Sequence, residues 1–245
     1  MPGAMAPHAP QISLHRVGHA AEPVIVIDNC LPDPQALRQL AAQQRFGAMG
    51  RHYPGLRAPL PAAASAAILA PLAGLIAQTF ALDGAPGLIE AMFSLVTTPP
   101  AALTAIQRLP HFDGLERERL ALLIYLGGAE AGGTAFYRHR ATGRETIDAA
   151  HIAAYDAALH RDVAQHGLPA PAYIAGDTAL FEQTAHFAGR ANRALIYRGH
   201  MLHCADIPAA TPLSGDPLTG RLTINMFLMG RSTPPAPGPS GHAAR

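Results

Sequence analysis

The chain has 245 residues, of which 18 are basic and 17 acidic, and its formal net charge is +1. All 18 basic residues are arginine. The absence of lysine excludes Schiff-base enzymes, phosphate-binding loops of the Gly-Lys-Ser/Thr type and protein kinases, because each needs a lysine in its site. The near-neutral charge and the scattered arginines favour neither nucleic acid nor an anionic membrane as a partner.

Several features of the sequence indicate a cytoplasmic location. Residues 1–10 lack the basic start and apolar stretch of a secretory signal, and we expect no apolar run of the roughly 18 to 20 residues that a membrane span needs. Cys30 and Cys204 are too few for a disulfide framework.

The length favours one domain, because β-rich domains commonly run to roughly 200 to 250 residues. Both ends of the chain are rich in proline, glycine and alanine. We therefore expect disordered tails at residues 1–11 and 231–245, the second one Pro-rich, around a single folded domain at residues 12–230.

The first predicted elements are a strand at residues 23–28 and a helix that begins after the N-cap Asp33 and ends near Phe46. A second helical segment at residues 62–80 carries an apolar stripe, and Pro71 is expected to split it. We expect these helices to pack on the outside of the core.

From Leu88 onward, short apolar runs alternate with turn residues, which is typical of strands. The predicted strands are residues 88–96, 103–112, 120–126, 134–137, 193–197, 201–207 and 221–228. An inserted helix is predicted near residues 149–166, where apolar residues share one helical face and Gly167 ends the segment. The sequence therefore predicts an α+β protein with a mainly β core, a sandwich or jelly roll, and flanking N-terminal helices.

His111 and Asp113 stand two residues apart at the end of a predicted strand, where residues i and i+2 face the same side. An imidazole and a carboxylate on one face are two of the three ligands in a 2-His-1-carboxylate facial triad, which binds Fe(II) and leaves coordination positions open. The same spacing recurs at His160 and Asp162, but there it falls in the predicted helix, where the two side chains diverge. The alternative interpretation of His111 and Asp113 is a surface turn.

A third ligand would have to be a distant histidine, and His203 is the best candidate. His200 is an alternative, although strand alternation would place it on the opposite face. In the last predicted strand, Arg221 and Thr223 share a face, and a guanidinium with a hydroxyl group two residues on can bind a carboxylate. The alternative is an ordinary amphipathic strand with its polar face in water.

The order of these motifs resembles the Fe(II)/2-oxoglutarate-dependent oxygenases of the prolyl-hydroxylase type, over residues 88–228. The resemblance is strongest to an uncharacterised bacterial branch of that superfamily. The segments that carry it are His111-Phe112-Asp113, Leu122-Leu123-Ile124-Tyr125-Leu126, Gly132-Gly133-Thr134-Ala135-Phe136-Tyr137, Leu202-His203, Gly220-Arg221-Leu222-Thr223, Phe136 to Gly143 and Asn192-Arg193.

This resemblance implies a double-stranded β-helix core, also called a jelly roll or cupin-like fold. It implies iron held by His111, Asp113 and His203, and 2-oxoglutarate anchored at its far carboxylate by Arg221 with Thr223. The sequence departs from prolyl hydroxylases in having arginine where they have lysine, and in a longer connection between His203 and Arg221. Two further residues, Tyr125 and Gln107, are candidates for contacts with the cosubstrate.

The activity that the resemblance implies is an Fe(II)-, 2-oxoglutarate- and O2-dependent hydroxylation, with release of succinate and CO2. Iron halogenases of this superfamily have a small residue in place of the carboxylate ligand, so Asp113 favours hydroxylation. The alternatives are a non-catalytic cupin-like protein that binds a metal or ligand, and a zinc metallohydrolase. The substrate is left open among amino acids, peptide or protein side chains and small metabolites, and the oligomeric state, a homodimer included, is left open too.

Overall fold

The computed structural model describes residues 9–50, 52–127 and 132–232. Most of both predicted tails lies outside these residues. Gln11, which the sequence placed in the N-terminal tail, begins the first strand. At the other end, Ser232 contacts the Glu118 carboxylate and forms a backbone bridge with Leu82.

Within the described residues, the chain forms ten strands and four α-helices. The strands are β1 (Gln11–Val17), β2 (Glu22–Asp28), β3 (Gly55–Pro59), β4 (Gly87–Val96), β5 (Arg119–Tyr125), β6 (Gly133–His139), β7 (Phe181–Ala188), β8 (Arg193–Arg198), β9 (His203–Asp206) and β10 (Leu222–Met229). The helices are α1 (Pro34–Ala42), α2 (Ala62–Leu69), α3 (Ala73–Phe80) and α4 (Ile152–His166). The protein is therefore mainly β with few helices.

The strands form two antiparallel sheets. The large sheet has the order β1-β2-β8-β5-β10-β4-β3, and the small sheet has the order β7-β6-β9. Some neighbours in these sheets are consecutive in the chain, such as β1 and β2, whereas others come from distant parts of it, such as β2 and β8. The side-chain period of two then gives each strand of the large sheet two different faces.

Strand β5 illustrates how the layers are built. Leu122 and Ile124 pack in a cluster under α1, α2 and α3, whereas Leu123 and Tyr125 pack in a second cluster with Phe136 of the small sheet. A third cluster lies between the small sheet and α4. The order of layers is thus N-terminal helices, large sheet, small sheet and α4, and the space between the two sheets is where polar side chains collect.

Most predicted elements are confirmed by the structure. The helical segment at residues 62–80 is split at Pro71, where the 3-10 turn Ala70–Leu72 separates α2 from α3. The predicted inserted helix corresponds to α4, which ends at Gly167. Strands β1, β3 and β7 were not predicted; β3 has only five residues and runs from a glycine to a proline, which are depleted in strands.

The predicted strand at residues 103–112 is wrong. This segment contains the 3-10 turn Ala105–Arg108 and then a single backbone bridge at His111. Two features explain the difference. Thr104 and Gln107 form a reciprocal capping box that starts the turn, and Pro110 has no N–H group to donate to a strand ladder.

One helical stretch, Ala62–Phe80, is long and apolar enough to cross a membrane by length and composition, with 19 residues and a mean hydropathy of 1.6. The expectation that no apolar run reaches this length is therefore wrong on these two criteria. The stretch is only a weak indication of a membrane span, because core helices pass the same test. In the structure, Ile68, Ile76 and Phe80 pack against the large sheet.

Candidate metal centre

His111, Asp113 and His203 converge between the two sheets. One ligand atom from each of these side chains can be chosen so that all three lie within 4.8 Å of one another, and no other such group of three or more occurs in the described part of the chain. Asp113 Oδ1 lies 3.7 Å from His111 Nε2, and Asp113 Oδ2 lies 3.4 Å from His203 Nε2. The three side chains therefore offer two imidazole nitrogens and a carboxylate to one point.

Backbone pairing, rather than a continuous strand, positions the three residues. His111 and His203 exchange two N–H···O hydrogen bonds of 2.8 Å, and the Asp113 N–H donates to the Gly199 carbonyl at 2.7 Å. These bonds hold the segment that carries the His-x-Asp motif against β9 and against the turn that precedes β9. His111 and Asp113 face the same side, as expected. The cause is this backbone pairing and not the predicted strand.

The hydrogen bond of His203 determines which of its ring nitrogens is available. His203 Nδ1 lies 2.8 Å from the Met201 carbonyl oxygen. Because a carbonyl can only accept, Nδ1 carries the proton and Nε2, the atom nearest Asp113, presents its lone pair in the neutral ring. This arrangement is the usual orientation of a metal-binding histidine.

The electrostatics of the cluster favour a charged carboxylate. Burial favours the neutral form of Asp113, but the charges of His203 and His111 outweigh it, and the pKa of Asp113 is lowered. Burial disfavours the protonated ring of His203, but Asp113 outweighs it, and the pKa of His203 is raised. Desolvation inside the cavity and the neighbouring His203 lower the pKa of His111 to about 4, so its imidazole is neutral at pH 7.

A cavity of about 540 Å³ opens beside the three residues. About half of the His111 side chain is exposed to it, whereas His203 is buried. Arg221 and Thr223 line the same cavity. The other face of this segment, with Leu222, Ile224, Met226 and Leu228, packs in the core under the helices, as the period-two pattern predicts.

Arg221 and Thr223 are both buried, at 5% and 1% exposure. Arg221 Nη2 donates to the Gly133 carbonyl at 3.2 Å, and its guanidinium carbon lies 5.7 Å from the centre of the Tyr125 ring. The Thr223 hydroxyl donates to Asn225 Oδ1 at 2.8 Å. A buried guanidinium that faces a cavity is suited to binding a carboxylate.

Two other candidate residues are placed differently. Tyr125 is fully buried behind the cavity, and its hydroxyl forms a 2.7 Å hydrogen bond with the Thr134 hydroxyl. Gln107 reaches the cavity, but its side-chain oxygen accepts from the Thr104 N–H and its amide nitrogen donates to the His52 carbonyl. Both amide atoms of Gln107 are therefore engaged in holding two loops together.

The alternative third ligand, His200, lies away from the cluster. Its Nε2 atom is 3.6 Å from Glu22 Oε1, in a buried group that also includes Arg198. The second His-x-Asp motif, His160 and Asp162, belongs to no candidate metal-binding group in the described part of the chain. Asp162 lies 3.0 Å from the Nε2 atom of His139 and joins α4 to β6.

Sequence reasoning missed several residues of the cavity wall. Arg57, Tyr53, Tyr173 and Tyr197 all line it. The local signal for Arg57 was weak, because its strand is short, but alternation along Leu56, Arg57 and Ala58 was present. Tyr197 belongs to a predicted strand, and only the pairing of β8 with β5 shows which way that strand faces.

The sequence matches the family of unknown function DUF6445 over residues 8–228. No curated protein matches it. Among solved structures, it is similar to the non-heme alpha-ketoglutarate-dependent epimerase SnoN from nogalamycin biosynthesis, with 15% identity over 94% of this chain and 89% of that one and a TM-score of 0.47. It is also similar to an N-substituted L-amino acid dioxygenase from Burkholderia ambifaria AMMD in complex with alpha-KG, with 14% identity, coverage of 91% and 95% and a TM-score of 0.46.

A third similar structure is HygX from Streptomyces hygroscopicus with iron bound, with 13% identity over 84% of this chain and 82% of that one and a TM-score of 0.48. None of these three proteins is more than 15% identical to this chain. The family match covers most of the chain, including the segments that carry His111, Asp113, His203, Arg221 and Thr223. The chain therefore belongs to the family of unknown function DUF6445.

Proposed function

We propose that the protein is an Fe(II)- and 2-oxoglutarate-dependent dioxygenase that hydroxylates an unactivated C–H bond of an amino acid, a peptide or protein side chain, or a small metabolite. Succinate and CO2 would be the products of the cosubstrate. The observation that carries the proposal is that His111, Asp113 and His203 converge beside a cavity whose wall also holds the buried Arg221. A two-histidine, one-carboxylate donor set that leaves positions open is the ligand type of non-heme Fe(II) oxygenases.

The residues present fit Fe(II). Two imidazoles and one carboxylate supply the donors, and the hydrogen bond from His203 to the Met201 carbonyl fixes the tautomer that leaves Nε2 free to coordinate. The lowered pKa of Asp113 means that its carboxylate is charged at neutral pH, despite burial. When bound here, Fe(II) would supply the redox chemistry that couples oxidation of 2-oxoglutarate by O2 to oxidation of the substrate.

The protein's own contribution is binding and orientation. Arg221 would hold the far carboxylate of 2-oxoglutarate, with Thr223 as a second donor, and the ring of Tyr125 would support the guanidinium from behind. Arg221 and Thr223 are both buried in this site. Charged groups in such a site interact more strongly than they would in bulk water.

The two antiparallel sheets that enclose the site support a double-stranded β-helix core, with residues 12–230 as a single domain. Strand β10 carries Thr223, follows Arg221 directly and pairs with both β4 and β5, so the residues of the proposed anchor lie in the middle of the large sheet. Helix α4, inserted between β6 and β7, adds Tyr155 and Leu159 to the cavity wall. We propose a cytoplasmic location, in agreement with two cysteines that both remain free thiols.

The test is anaerobic addition of Fe(II) and 2-oxoglutarate to the metal-free protein. We expect a visible metal-to-ligand charge-transfer band, which His111→Ala and Asp113→Ala remove. On exposure to O2, succinate should accumulate. A protein that binds metal but neither binds 2-oxoglutarate nor releases succinate would instead be a cupin-like binding protein, and one that binds zinc and hydrolyses esters or amides would be a metallohydrolase.

A further inference from the structure

A second arginine lies in the cavity and has no part in the proposed function so far. Arg57, on the edge strand β3, lines the same cavity as the candidate metal ligands. Its guanidinium carbon lies 4.1 Å from the centre of the Tyr53 ring. Its Nε atom is buried and has no hydrogen-bond partner among the described residues. Arg57 as a whole is half-buried. Because buried polar atoms are normally hydrogen-bonded, the unpartnered Nε atom indicates that this guanidinium can receive a ligand.

The register of the large sheet determines the face of the sheet on which the Arg57 side chain lies. Arg57 pairs with Ser94 of β4, and Ser94 pairs with Thr223 of β10. Residues paired in this way project from the same face of a sheet. Because neighbouring strands are about 4.8 Å apart, the backbones at Arg57 and Thr223 are roughly 10 Å apart across the sheet.

Arg57 and Arg221 therefore stand on one face, at separate positions along the cavity. Among the residues that the structure describes, the charged side chains of Asp, Glu and Arg that line this cavity are the two arginines, Asp113 and the exposed Asp156 of α4. No ion pair joins Arg57 to either carboxylate within the described ranges. With Fe(II) and 2-oxoglutarate bound as proposed, the charges of the metal and of Arg221 are balanced by Asp113 and by the two carboxylates of the cosubstrate. Among the charges of the described residues, that of Arg57 is then left over together with that of Asp156, which is exposed to solvent and forms no ion pair with Arg57.

We propose that Arg57 binds a carboxylate of the primary substrate, so that the substrate is a small carboxylic acid with an apolar or aromatic body. This inference rests on the proposed function. The apolar part follows from the other side chains of the cavity wall. They include the apolar residues Ile106, Leu109, Phe112, Leu159 and Ile174, and also Tyr53, which contacts Arg57.

Anchoring one carboxylate at Arg57 would also orient the substrate. The planar fork of a guanidinium binds a carboxylate in two parallel hydrogen bonds, which fixes direction as well as position. The Arg57 guanidinium already lies over the Tyr53 ring, so this contact restricts the side chain before a ligand binds and less freedom is lost on binding. A neutral analogue would gain the same apolar contacts but would leave the half-buried cation, with its buried Nε atom, unpaired.

The experiment compares a carboxylic acid with its primary amide. Protein saturated with Fe(II) and 2-oxoglutarate under anaerobic conditions is titrated calorimetrically with 3-phenylpropionate and with 3-phenylpropanamide. We expect the acid to bind at least about tenfold more tightly than the amide, since hydrogen bonds to charged groups contribute about that much. Arg57→Met should abolish this preference and leave the affinity for 2-oxoglutarate unchanged.

Two variants serve as references. Arg57→Lys keeps the charge but not the fork, and it should retain part of the preference for the acid. Arg45→Met makes the same change of charge at an exposed position outside the cavity and should behave like the wild type. A measurement on the unmodified protein guards against misfolding of the variants: the Arg57 Nε–H resonance should shift on addition of 3-phenylpropionate and not of the amide.

Equal affinities for acid and amide would overturn the inference, as would a preference for the acid that survives in Arg57→Met, or no binding of either probe at millimolar concentrations. A loss of 2-oxoglutarate affinity in Arg57→Met would also overturn it, because Arg57 would then serve the cosubstrate. If the wild-type protein binds no 2-oxoglutarate at all, the proposed function fails separately. In that case, titrations of 3-phenylpropionate and 3-phenylpropanamide into protein without added Fe(II) or 2-oxoglutarate decide whether Arg57 selects a carboxylate.

Discussion

His111 and His203 exchange two backbone hydrogen bonds, each 2.8 Å long, although they lie in segments far apart in the sequence. Their imidazole rings are consequently 4.4 Å apart, between ring centres, with Asp113 beside both. This bridge makes the cluster a product of tertiary pairing. It also means that the metal-free protein already holds the ligands near their binding positions, which lowers the cost of ordering them when a metal binds.

The first prediction concerns metal affinity. Replacing His111, Asp113 or His203 by alanine should weaken Fe(II) binding by more than the roughly 10- to 100-fold that loss of an outer partner of a metal ligand costs. The matched control is His151→Ala, because His151 is a half-exposed histidine paired with Asp148 at 2.6 Å. Calorimetry with Fe(II), and absorbance with Co(II), measure the affinities. Unchanged affinity in His203→Ala would remove His203 from the site.

These three residue types and their spacing could be recognised in the sequence, and so could the polar face of Arg221 and Thr223. The reason that His111 and Asp113 face the same way could not be predicted, because a backbone bridge between distant segments depends on tertiary packing. Pro110 was the local sign against a strand there. Arg57 was missed because the alternation around it covers only three residues of a five-residue strand between glycine and proline, which is too short a signal to predict a strand.

The second prediction concerns the anchor of 2-oxoglutarate. Arg221→Met should lower the affinity for 2-oxoglutarate by about 10- to 100-fold, because it removes a charged hydrogen-bonding partner from a buried position. Arg221→Lys should lose less, since the charge is kept. Titration of the Fe(II)-loaded protein with 2-oxoglutarate gives the affinities, and Fe(II) affinity alone should be unaffected. A metal site that fails together with 2-oxoglutarate binding would indicate general disruption and contradict a specific anchor.

The third prediction separates Tyr125 from the cosubstrate. Its hydroxyl is buried and bonded to Thr134, and it lies behind the cavity wall. Tyr125→Phe should therefore reduce the free energy of unfolding by about 1 kcal/mol, the typical net contribution of one hydrogen bond. The affinity for 2-oxoglutarate should stay within about threefold of the wild type, because phenylalanine keeps the ring beneath Arg221. Chemical denaturation and the 2-oxoglutarate titration test the two parts, and a loss of affinity like that of Arg221→Met would instead give the Tyr125 hydroxyl a direct contact.

The fourth prediction concerns acid stability. Arg193 donates two hydrogen bonds of 2.7 Å to Asp28, joining β8 to β2. This pairing lowers the pKa of Asp28 from its ordinary value of 3.8. A carboxyl group whose pKa is lower in the folded state stabilises the protein above the unfolded-state pKa, and the contribution is lost as the pH falls through the folded-state pKa.

Asp28→Asn should therefore lower the free energy of unfolding at pH 7 by about 1–2 kcal/mol, after allowance for the partial exposure of the pair. The difference from the wild type should shrink as the pH falls below about 4. The control is Asp83→Asn, because Asp83 and Arg231 form an exposed pair at 3.9 Å. That substitution should have almost no effect at either pH. A difference between wild type and Asp28→Asn that is constant with pH would exclude the charge of Asp28 as its source.

The fifth prediction concerns the attachment of α4. His139 of β6 is fully buried, with its Nε2 atom 3.0 Å from Asp162 of α4 and its Nδ1 atom 3.0 Å from the Thr142 hydroxyl. Burial lowers the pKa of His139, so the ring is neutral at pH 7 and depends on Asp162 as a partner. Asp162→Asn keeps the shape of the side chain but removes its charge. The helix should then open more often, by a factor of about ten for each 1.4 kcal/mol lost.

Hydrogen exchange of residues 152–166 measures this opening directly. We expect faster exchange in α4 than in the wild type, with the strands of the large sheet unchanged, because the lost contact belongs only to the attachment of α4. Arg161→Ala, at the exposed neighbouring position, is the control and should leave exchange as it is. Since Tyr155 and Leu159 of α4 form part of the cavity wall, a looser helix should also weaken binding of 3-phenylpropionate. Faster exchange throughout the protein would contradict a local role for this contact.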